Sequence, residues 1–259
     1  RDEARSGLLI EDGPVRGVWD DIVEVERERV AHVAPQDVAL RVWELDKTYR
    51  SWLTVLRQAK RAVKKVSFAI SPGEVFGLLG HNGAGKTSAL KCIVGELCCT
   101  AGTIHVGGFD METETSKARS QIGYCPQFDA LLELLTVQDH LELYASLRGL
   151  PAGAAAAARG EFGLEKAAFR RADVLSGGNK RKLSAAIALL GRPSLAVLDE
   201  PSCGLDPGAR RALWVAVQRA VAGFGVAVEG QRGPSAVLLT THSMEEAEAL
   251  SRRLGIFAE

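Results

Sequence analysis

Gly80-His81-Asn82-Gly83-Ala84-Gly85-Lys86-Thr87 follows a short apolar run, Val75 to Leu79, and no other stretch restricts the fold of this chain as strongly. The apolar run reads as a strand, and the glycines after it let the backbone turn tightly into a helix that should begin near Thr87. Successive N–H groups in such a turn converge on one point, and the positive end of the helix dipole adds to them. An ammonium at Lys86 and a hydroxyl at Thr87 suit the β- and γ-phosphates and the Mg²⁺ of a bound nucleotide. A phosphate loop of this kind needs a strand before it and a helix after it, so the expected core is an α/β sheet, rich in parallel strands.

The 259 residues are enough for one large α/β domain with an inserted or appended subdomain, and 46% hydrophobic residues can fill its core. Basic and acidic residues number 32 each, so no net field draws the chain to nucleic acid or anionic lipid. Any such partner has to be met by a local surface. The cysteines, Cys92, Cys98, Cys99, Cys125 and Cys203, form no C-x-x-C pair and no zinc-like spacing with histidine, and they read as reduced thiols of an intracellular compartment. No apolar run approaches the roughly 20 residues that span a bilayer, and no secretory leader is evident. The sequence starts at Arg1 and stops at Glu259 just after an apolar run, as a piece cut from a longer protein does.

Residues 1–38 are polar and charge-dense, and they are expected to be a linker with one short helix. Period-two patterning then sets Val42, Glu44 and Asp46 against Arg41, Trp43 and Leu45, and Val66, Phe68 and Ile70 against Ser67 and Ala69, which predicts two early strands. Short strands follow around Ile104 to Val106 and Ile122 to Gln127. From Phe128 to about Leu190 the texture becomes helical. Thr136 and Asp139 form a capping box, while Leu141, Tyr144 and Leu147 recur at helical spacing. The five alanines Ala154 to Ala158 favour helix but carry no large side chain with which to dock, so they are expected in a peripheral helix or connector. Leu195 to Leu198 and Ala236 to Leu239 lack clean alternation, as parallel strands covered on both faces should. Helices are expected around Ala209 to Ala220 and after Ser243, and a last strand from Leu254 to Phe257.

Three further elements carry chemistry. Leu195 to Leu198 runs into Asp199-Glu200, so two carboxylates sit at a strand tip, where open α/β sheets place catalytic groups. Asp199 suits Mg²⁺, directly or through water, and Glu200 suits orienting or deprotonating an attacking water. Leu175-Ser176-Gly177-Gly178-Asn179 is a second glycine-bearing turn ahead of a helix. It is either a flexible loop or an anion nest for a nucleotide held by another copy of the domain. Gln127 and His242 each follow a strand, where an amide reaches Mg²⁺ or water and an imidazole reaches a γ-phosphate; each is equally consistent with a surface hydrogen-bond former.

With these motifs in order, the chain resembles the nucleotide-binding domain of ATP-binding cassette transporters, in particular the A subfamily of large lipid exporters. The resemblance covers about Ala39 to the end. It rests on Gly77 to Thr87, Gly123 to Asp129, Leu175 to Ser184, Leu198 to Pro207 and Thr241 to Glu246. It implies a P-loop NTPase core with a parallel-rich sheet, an N-terminal antiparallel β subdomain and a helical subdomain inserted at about 128–190. It also implies that the adenine lies on Tyr49 and that the phosphates lie on Gly80, Asn82, Gly83, Gly85, Lys86, Thr87 and Ser88. Mg²⁺ lies near Thr87, Gln127 and Asp199; Glu200 is the general base, Gln127 is counted among the catalytic residues with it, and His242 is the γ-phosphate switch. Ser176, Gly177 and Gly178 reach the ATP of a second cassette in a head-to-tail pair, with Asp206 in the loop that crosses between the two sites.

The resemblance further implies a second cassette in the same polypeptide and transmembrane domains that handle lipid. No nucleic acid is implied, and the location is the cytoplasmic face of a multi-pass membrane protein. Asn179 stands where most of the wider family has Gln, as the A subfamily does. The connector 149–176 is about one helical turn short, the Gly-rich stretch 223–235 is long, and the final strands and helices of the domain lie beyond the end of the chain. Two other functions compete. Lys180-Arg181-Lys182 invites a soluble cassette ATPase acting on nucleic acid or the ribosome, although three charges beside the signature turn also suit a structural role. An ATP-binding regulatory clamp is opposed by the presence together of Lys86, Asp199, Glu200 and His242.

Overall fold

The computed structural model describes residues 16–49, 59–223 and 234–257. The first element is α1 (Arg16–His32), followed by β1 (Leu40–Tyr49) and β2 (Lys60–Ile70). Next come β3 (Val75–Gly80), α2 (Lys86–Ile93), β4 (Ala101–Val106), the two-residue β5 (Phe109–Asp110) and α3 (Thr115–Ser120). Strands β1, β2, β4 and β5 form an antiparallel sheet in the order β2-β1-β4-β5.

The expected alternation along β1 breaks at Glu44. This residue has φ 47°, its N–H goes to Ser67 Oγ at 2.9 Å, and the register slips between Val42 and Leu45. Leu40, Val42 and Leu45 are therefore the residues wholly buried, because the bulge moves the inward face by one position. Period-two reasoning put Leu45 on the opposite face from Val42, and the bulge reverses that.

Helix α1 is also longer and better docked than a short linker helix. Over 17 residues it buries Val30 against Val38 and Ala69. Its polar contacts converge on the end of β2. Glu26 accepts from Arg29 at 2.7 Å and from the Ala69 N–H at 3.2 Å, and lies 2.6 Å from Arg253, while Arg29 donates to the Ala69 carbonyl at 2.9 Å. Arg253 also bonds Glu74 at 3.0 Å. A helix that read as solvated charge is thus held by satisfied main-chain and ionic bonds. Residues 1–15 lie outside those described.

The chain continues with β6 (Ile122–Cys125), α4 (Val137–Leu147), α5 (Ala154–Glu161), α6 (Gly177–Leu189), β7 (Leu195–Asp199), α7 (Pro207–Val221), β8 (Ala236–Thr241), α8 (Met244–Leu250) and β9 (Arg253–Phe257). Five strands pair in parallel in the order β6-β7-β8-β3-β9. Every residue of β7 and β8 is buried. Leu195, Val197, Ala236 and Leu238 pack with α2 and the antiparallel sheet, whereas Ala196, Leu198, Val237 and Leu239 pack with α6 and α7. Covering both faces removes the polar half of the alternation, which is why these strands read as plain apolar runs. Each such fully buried Leu or Val side chain contributes about 1.5–3 kcal/mol.

The helical layer follows the sequence closely. Thr136 and Asp139 make the full capping box at the start of α4. One turn on, buried His140 accepts the Leu132 N–H through Nε2 at 2.9 Å, so its Nδ1–H donates to the Thr136 carbonyl at 2.8 Å. The alanine run forms α5, and it does dock, through Ala154, Ala158 and the following Phe162. The Gly-rich stretch lies mostly outside the described residues.

Burial by itself would raise the Glu26 carboxyl, but the hydrogen bonds and charges of Arg29 and Arg253 outweigh it and hold the group below its ordinary 4.5. A depressed carboxylate stabilises the fold above its unfolded value and loses that contribution as the pH falls through the folded one. Glu26→Gln is therefore expected to cost about 1–2 kcal/mol at pH 7 and progressively less below pH 4.5. Urea denaturation at both pH values measures it; an equal loss at pH 7 and pH 3 would show that charge is not the cause.

Candidate active site

Strand β3 lies inside the parallel sheet between β8 and β9, so the loop after Gly80 leaves from the middle of the sheet's C-terminal edge. Gly85 has φ +102°, and a Cβ there would sit 2.2 Å from the Ala62 carbonyl oxygen, so the turn into α2 admits only glycine. Helix α2 begins at Lys86, and the N–H groups of its first turn have no intrahelical acceptor. Lys86 is buried and donates through Nζ to the Gly80 and His81 carbonyls, the second at 3.1 Å. Tyr49, at the end of β1, donates through its hydroxyl to Ser88 Oγ at 3.2 Å, and Lys47 Nζ lies 5.3 Å from its ring centre. A cavity of about 240 Å³ opens here. It is lined by Tyr49, Lys60, Ala62, Asn82, Gly83, Gly85, Lys86, Thr87, Ser88, Gln127, Asp199 and Glu200.

Two carboxylates close this cavity from β7. Asp199 is 5% exposed and accepts from Thr240 Oγ1, across the β7–β8 pair. Burial pushes its carboxyl up and the neighbouring Glu200 adds to the shift, against the Thr240 bond and the charges of Arg181 and Lys86. A buried carboxylate facing hydroxyl and amide oxygens is a hard donor set that suits Mg²⁺. Asp199, Thr87 and Gln127 share the wall on which such an ion would sit. Among the described residues no three His, Cys, Asp or Glu side chains gather as a metal centre.

Glu200 has φ 48°, a left-handed conformation that costs a non-glycine residue roughly 1–3 kcal/mol. Its surroundings enforce that conformation. The N–H donates to both the Thr240 carbonyl and Thr240 Oγ1 at 3.1 Å, and the carbonyl accepts from Arg181 at 2.7 Å. Its side chain stands between two others: Gln127 Nε2 donates to Oε2 at 3.3 Å, and His242 Nδ1 lies 3.6 Å from Oε1. A second cavity, of about 380 Å³, lies beyond Glu200 and is lined by Ser202, Cys203, Arg210, Thr241, His242, Ser243 and Glu246, among others. Glu200 borders both spaces, while His242 borders only the second.

Ser176, Gly177, Gly178 and Asp206 line neither cavity. Ser176 caps α6 by accepting from the Asn179 N–H at 3.3 Å. A Cβ at Gly177 would meet nothing within 4 Å, and its φ is not positive. Asp206 caps α7: Oδ1 accepts from Ala209 and Gly208 N–H at 2.9 Å each, and those bonds lower its carboxyl pKa.

Sequence reasoning weighed Arg181 only as one of three charges that suit nucleic acid or a structural role, without singling it out. Of the run Lys180-Arg181-Lys182, the middle residue is 4% exposed. It donates to the carbonyls of Pro126 and Gln127 after β6 and of Asp199, Glu200 and Pro201 after β7, and it lies 3.2 Å from Asp129 Oδ1. Helical spacing held the signal. Ser184, Ala185 and Ala188, three, four and seven residues on, are small and buried, so they put Arg181 on the inward face.

Comparison with known proteins identifies the family. Residues 63–203 match the family described as ABC transporter. The chain is 44% identical to human phospholipid-transporting ATPase ABCA7 over 94% of this chain and 11% of that protein. It is 44% identical to bovine retinal-specific phospholipid-transporting ATPase ABCA4, over 95% and 10%. To human phospholipid-transporting ATPase ABCA3 it is 43% identical, over 93% and 14%. The chain thus spans about a tenth of the length of the curated relatives it matches. Among solved structures, the ATP binding subunit of an ABC transporter superposes with a TM-score of 0.73 at 29% identity, over 85% of each chain. A bacterial ABC transporter cassette solved as a dimer shares the fold with a TM-score of 0.68 at 22% identity, over 85% of this chain and 97% of the other.

Because burial raises Asp199, ionising it costs stability, and that cost grows as the pH rises above its ordinary 3.8. Asp199→Asn is therefore expected to raise the melting temperature at pH 7 in the absence of Mg²⁺ and nucleotide, and to change it little below pH 3.8. The same substitution should abolish the extra stabilisation that Mg-ATP confers over ATP alone. Thermal melts with and without the ligands give both answers; a lower melting temperature at pH 7 would refute the assignment of a desolvated carboxylate.

Proposed function

The chain belongs to the ABC transporter family, and on that premise we propose that it is the ATP-binding and ATP-hydrolysing cassette of a membrane transporter that moves lipid. One observation carries the enzymatic part: a single cavity gathers the phosphate loop, Tyr49, Gln127, Asp199 and Glu200 from four separate segments of the chain. The lipid part rests on the relatives, which are named as phospholipid-transporting ATPases. We take residues 39–259 as the cassette, with its helical insertion at about 128–190, and residues 1–38 as the segment leading into it.

In this reading the adenine stacks on Tyr49, and the phosphates lie on Gly80, Asn82, Gly83, Gly85, Lys86, Thr87 and Ser88. Lys86 exchanges its loop carbonyls for phosphate oxygens. Thr87, Gln127 and Asp199 are the residues that would hold Mg²⁺, which would supply charge neutralisation to the phosphates. Water attacks the γ-phosphorus as the bond to the bridging oxygen of ADP breaks. Glu200 takes the proton of that water, with Gln127 and His242 on either side to orient the carboxylate and meet the γ-phosphate.

A second cassette completes the site. Gly177 has neither a backbone conformation nor, among the described residues, a neighbour that requires glycine, so its open face is suited to another molecule. We assign that molecule as the nucleotide of a second cassette, in the same polypeptide and arranged head-to-tail. Ser176 and Gly178 flank the contact, and Asp206 lies in the crossing loop as well as capping α7. Transmembrane domains would receive the motion on the cytoplasmic side, and among the described residues no helix is long and apolar enough to cross a membrane. A nucleic-acid partner loses its main support, since the central charge of the basic run is turned inward.

Glu200→Gln preserves the shape of the carboxylate but not its basicity. Nucleotide binding should survive, and turnover should fall by a factor of order 10² or more. Near-normal hydrolysis in that variant, with any second cassette silenced, would remove Glu200 from the role of base. Gly177→Asp puts a carboxylate into open space, so the fold should tolerate it, while like-charge repulsion should block closure on a partner's γ-phosphate. Nucleotide affinity within about twofold of wild type, together with loss of ATP-driven association, is the expected outcome. Normal association, read by crosslinking or light scattering, would overturn the paired site.

A further inference from the structure

Helix α6 begins at the Ser176 cap and carries Arg181 one turn further along, about 6 Å from Gly177 at 1.5 Å per residue. A guanidinium offers five N–H donors in a rigid plane, and here they are divided between the two segments that follow β6 and β7. The carbonyls of Pro126 and Gln127 flank the side chain of Gln127, and those of Asp199, Glu200 and Pro201 flank that of Glu200. These are the two side chains that meet at 3.3 Å in the cavity. The left-handed turn at Glu200 has its carbonyl fixed by the same group.

Ion pairing is a weak reason to keep a charge there. The guanidinium is almost wholly buried, and its one carboxylate partner, Asp129, is 22% exposed and 3.2 Å away. An apolar side chain would avoid desolvating a charge but would leave the carbonyls of Pro126, Gln127, Asp199, Glu200 and Pro201 without these donors. What an apolar residue, or the point charge of lysine, cannot do is hold two sets of carbonyls at a fixed separation.

We propose that Arg181 is a positioning residue for hydrolysis: it sets Gln127 and Glu200 in register with each other and ties both to the Ser176–Gly178 turn at the head of the same helix. This rests on the function proposed above. It follows that nucleotide contact made at the head of α6 is transmitted to the residues acting on the cassette's own nucleotide, because the helix between Gly177 and Arg181 is one rigid turn. The two sites of a head-to-tail pair are then coupled through α6 itself.

The test uses the intact protein, with Arg181→Lys and Asp129→Ala, each alone and combined with Glu200→Gln. Mg-ATP affinity, kcat, KM and melting temperature are measured for every variant. Arg181→Lys should leave affinity within about twofold, since Lys86 and the loop are untouched, and should lower kcat at least tenfold. Asp129→Ala should lower kcat about threefold with affinity likewise retained. In the Glu200→Gln background, single-turnover hydrolysis should fall less than about twofold further, because Arg181 acts through the group already removed. An unchanged kcat in both single variants overturns the proposal, as does a full additional loss in the Glu200→Gln background or a drop in affinity parallel to kcat. If Arg181→Lys does not fold, Asp129→Ala and its double variant decide by the same criteria. Wild-type protein that binds ATP without hydrolysing it would overturn the proposed function instead, and only that reading fails in the absence of any substitution.

Discussion

The carbonyl oxygens at the C-terminal edge of a parallel sheet need donors once the strands end, and the supply of those donors organises this molecule. Three strand exits lie side by side here, those of β3, β7 and β8, with β6 next to β7. Lys86 serves the exit of β3, Arg181 serves those of β6 and β7, and Thr240 on β8 reaches across to Asp199 and Glu200. Unsatisfied, each of these buried groups would cost about 1–3 kcal/mol. The same side chains that satisfy them fix the loop conformations in which Gln127, Asp199 and Glu200 face one cavity.

That arrangement trades stability for chemistry. Asp199 is driven up by its own burial, Glu200 sits in a left-handed conformation, and Arg181 is desolvated. Burying the charges of Asp199 and Arg181 costs desolvation, and the turn at Glu200 costs backbone strain. Each cost falls at a strand tip, beside residues such as Leu198 and Leu239 that are completely buried and hold the backbone in place. Rigid strands make strained tips tolerable, because the strain has no cheap route of relaxation.

Away from the sheet edge the molecule is held by more ordinary means. The capping box at Thr136 and the buried His140 tie the loop after Gln127 onto α4, and α5 packs against that helix through small side chains. On the other side, α1 is fastened by Glu26, Arg29 and Arg253 to the end of β2 and to β9. Since β9 borders β3, the segment that enters the domain is braced against the strand that delivers the phosphate loop.

Much of the fold was legible in the chain because local chemistry specifies it. Glycine at position 85 is required by a turn that no side chain fits, the apolar runs at 195–198 and 236–239 announce strands covered on both faces, and Thr136 with Asp139 marks a helix start. The phosphate loop, the Asp199-Glu200 tip and the Ser176–Gly178 turn were likewise visible, since each is a contiguous pattern with its own physical logic. Other features required residues far apart in sequence to meet. The inward face of β1 shifts at Glu44 because Ser67, 23 residues on, takes its N–H, and α1 is a docked helix because Arg253 comes back to it at the far end of the chain. The role of Arg181 is the clearest case: a residue in a run of three charges becomes a buried hub only when β6 and β7 end beside α6. Hydrogen bonding and periodicity within a few residues can be read from a sequence, whereas burial and the pairing of distant groups are properties of the packed chain.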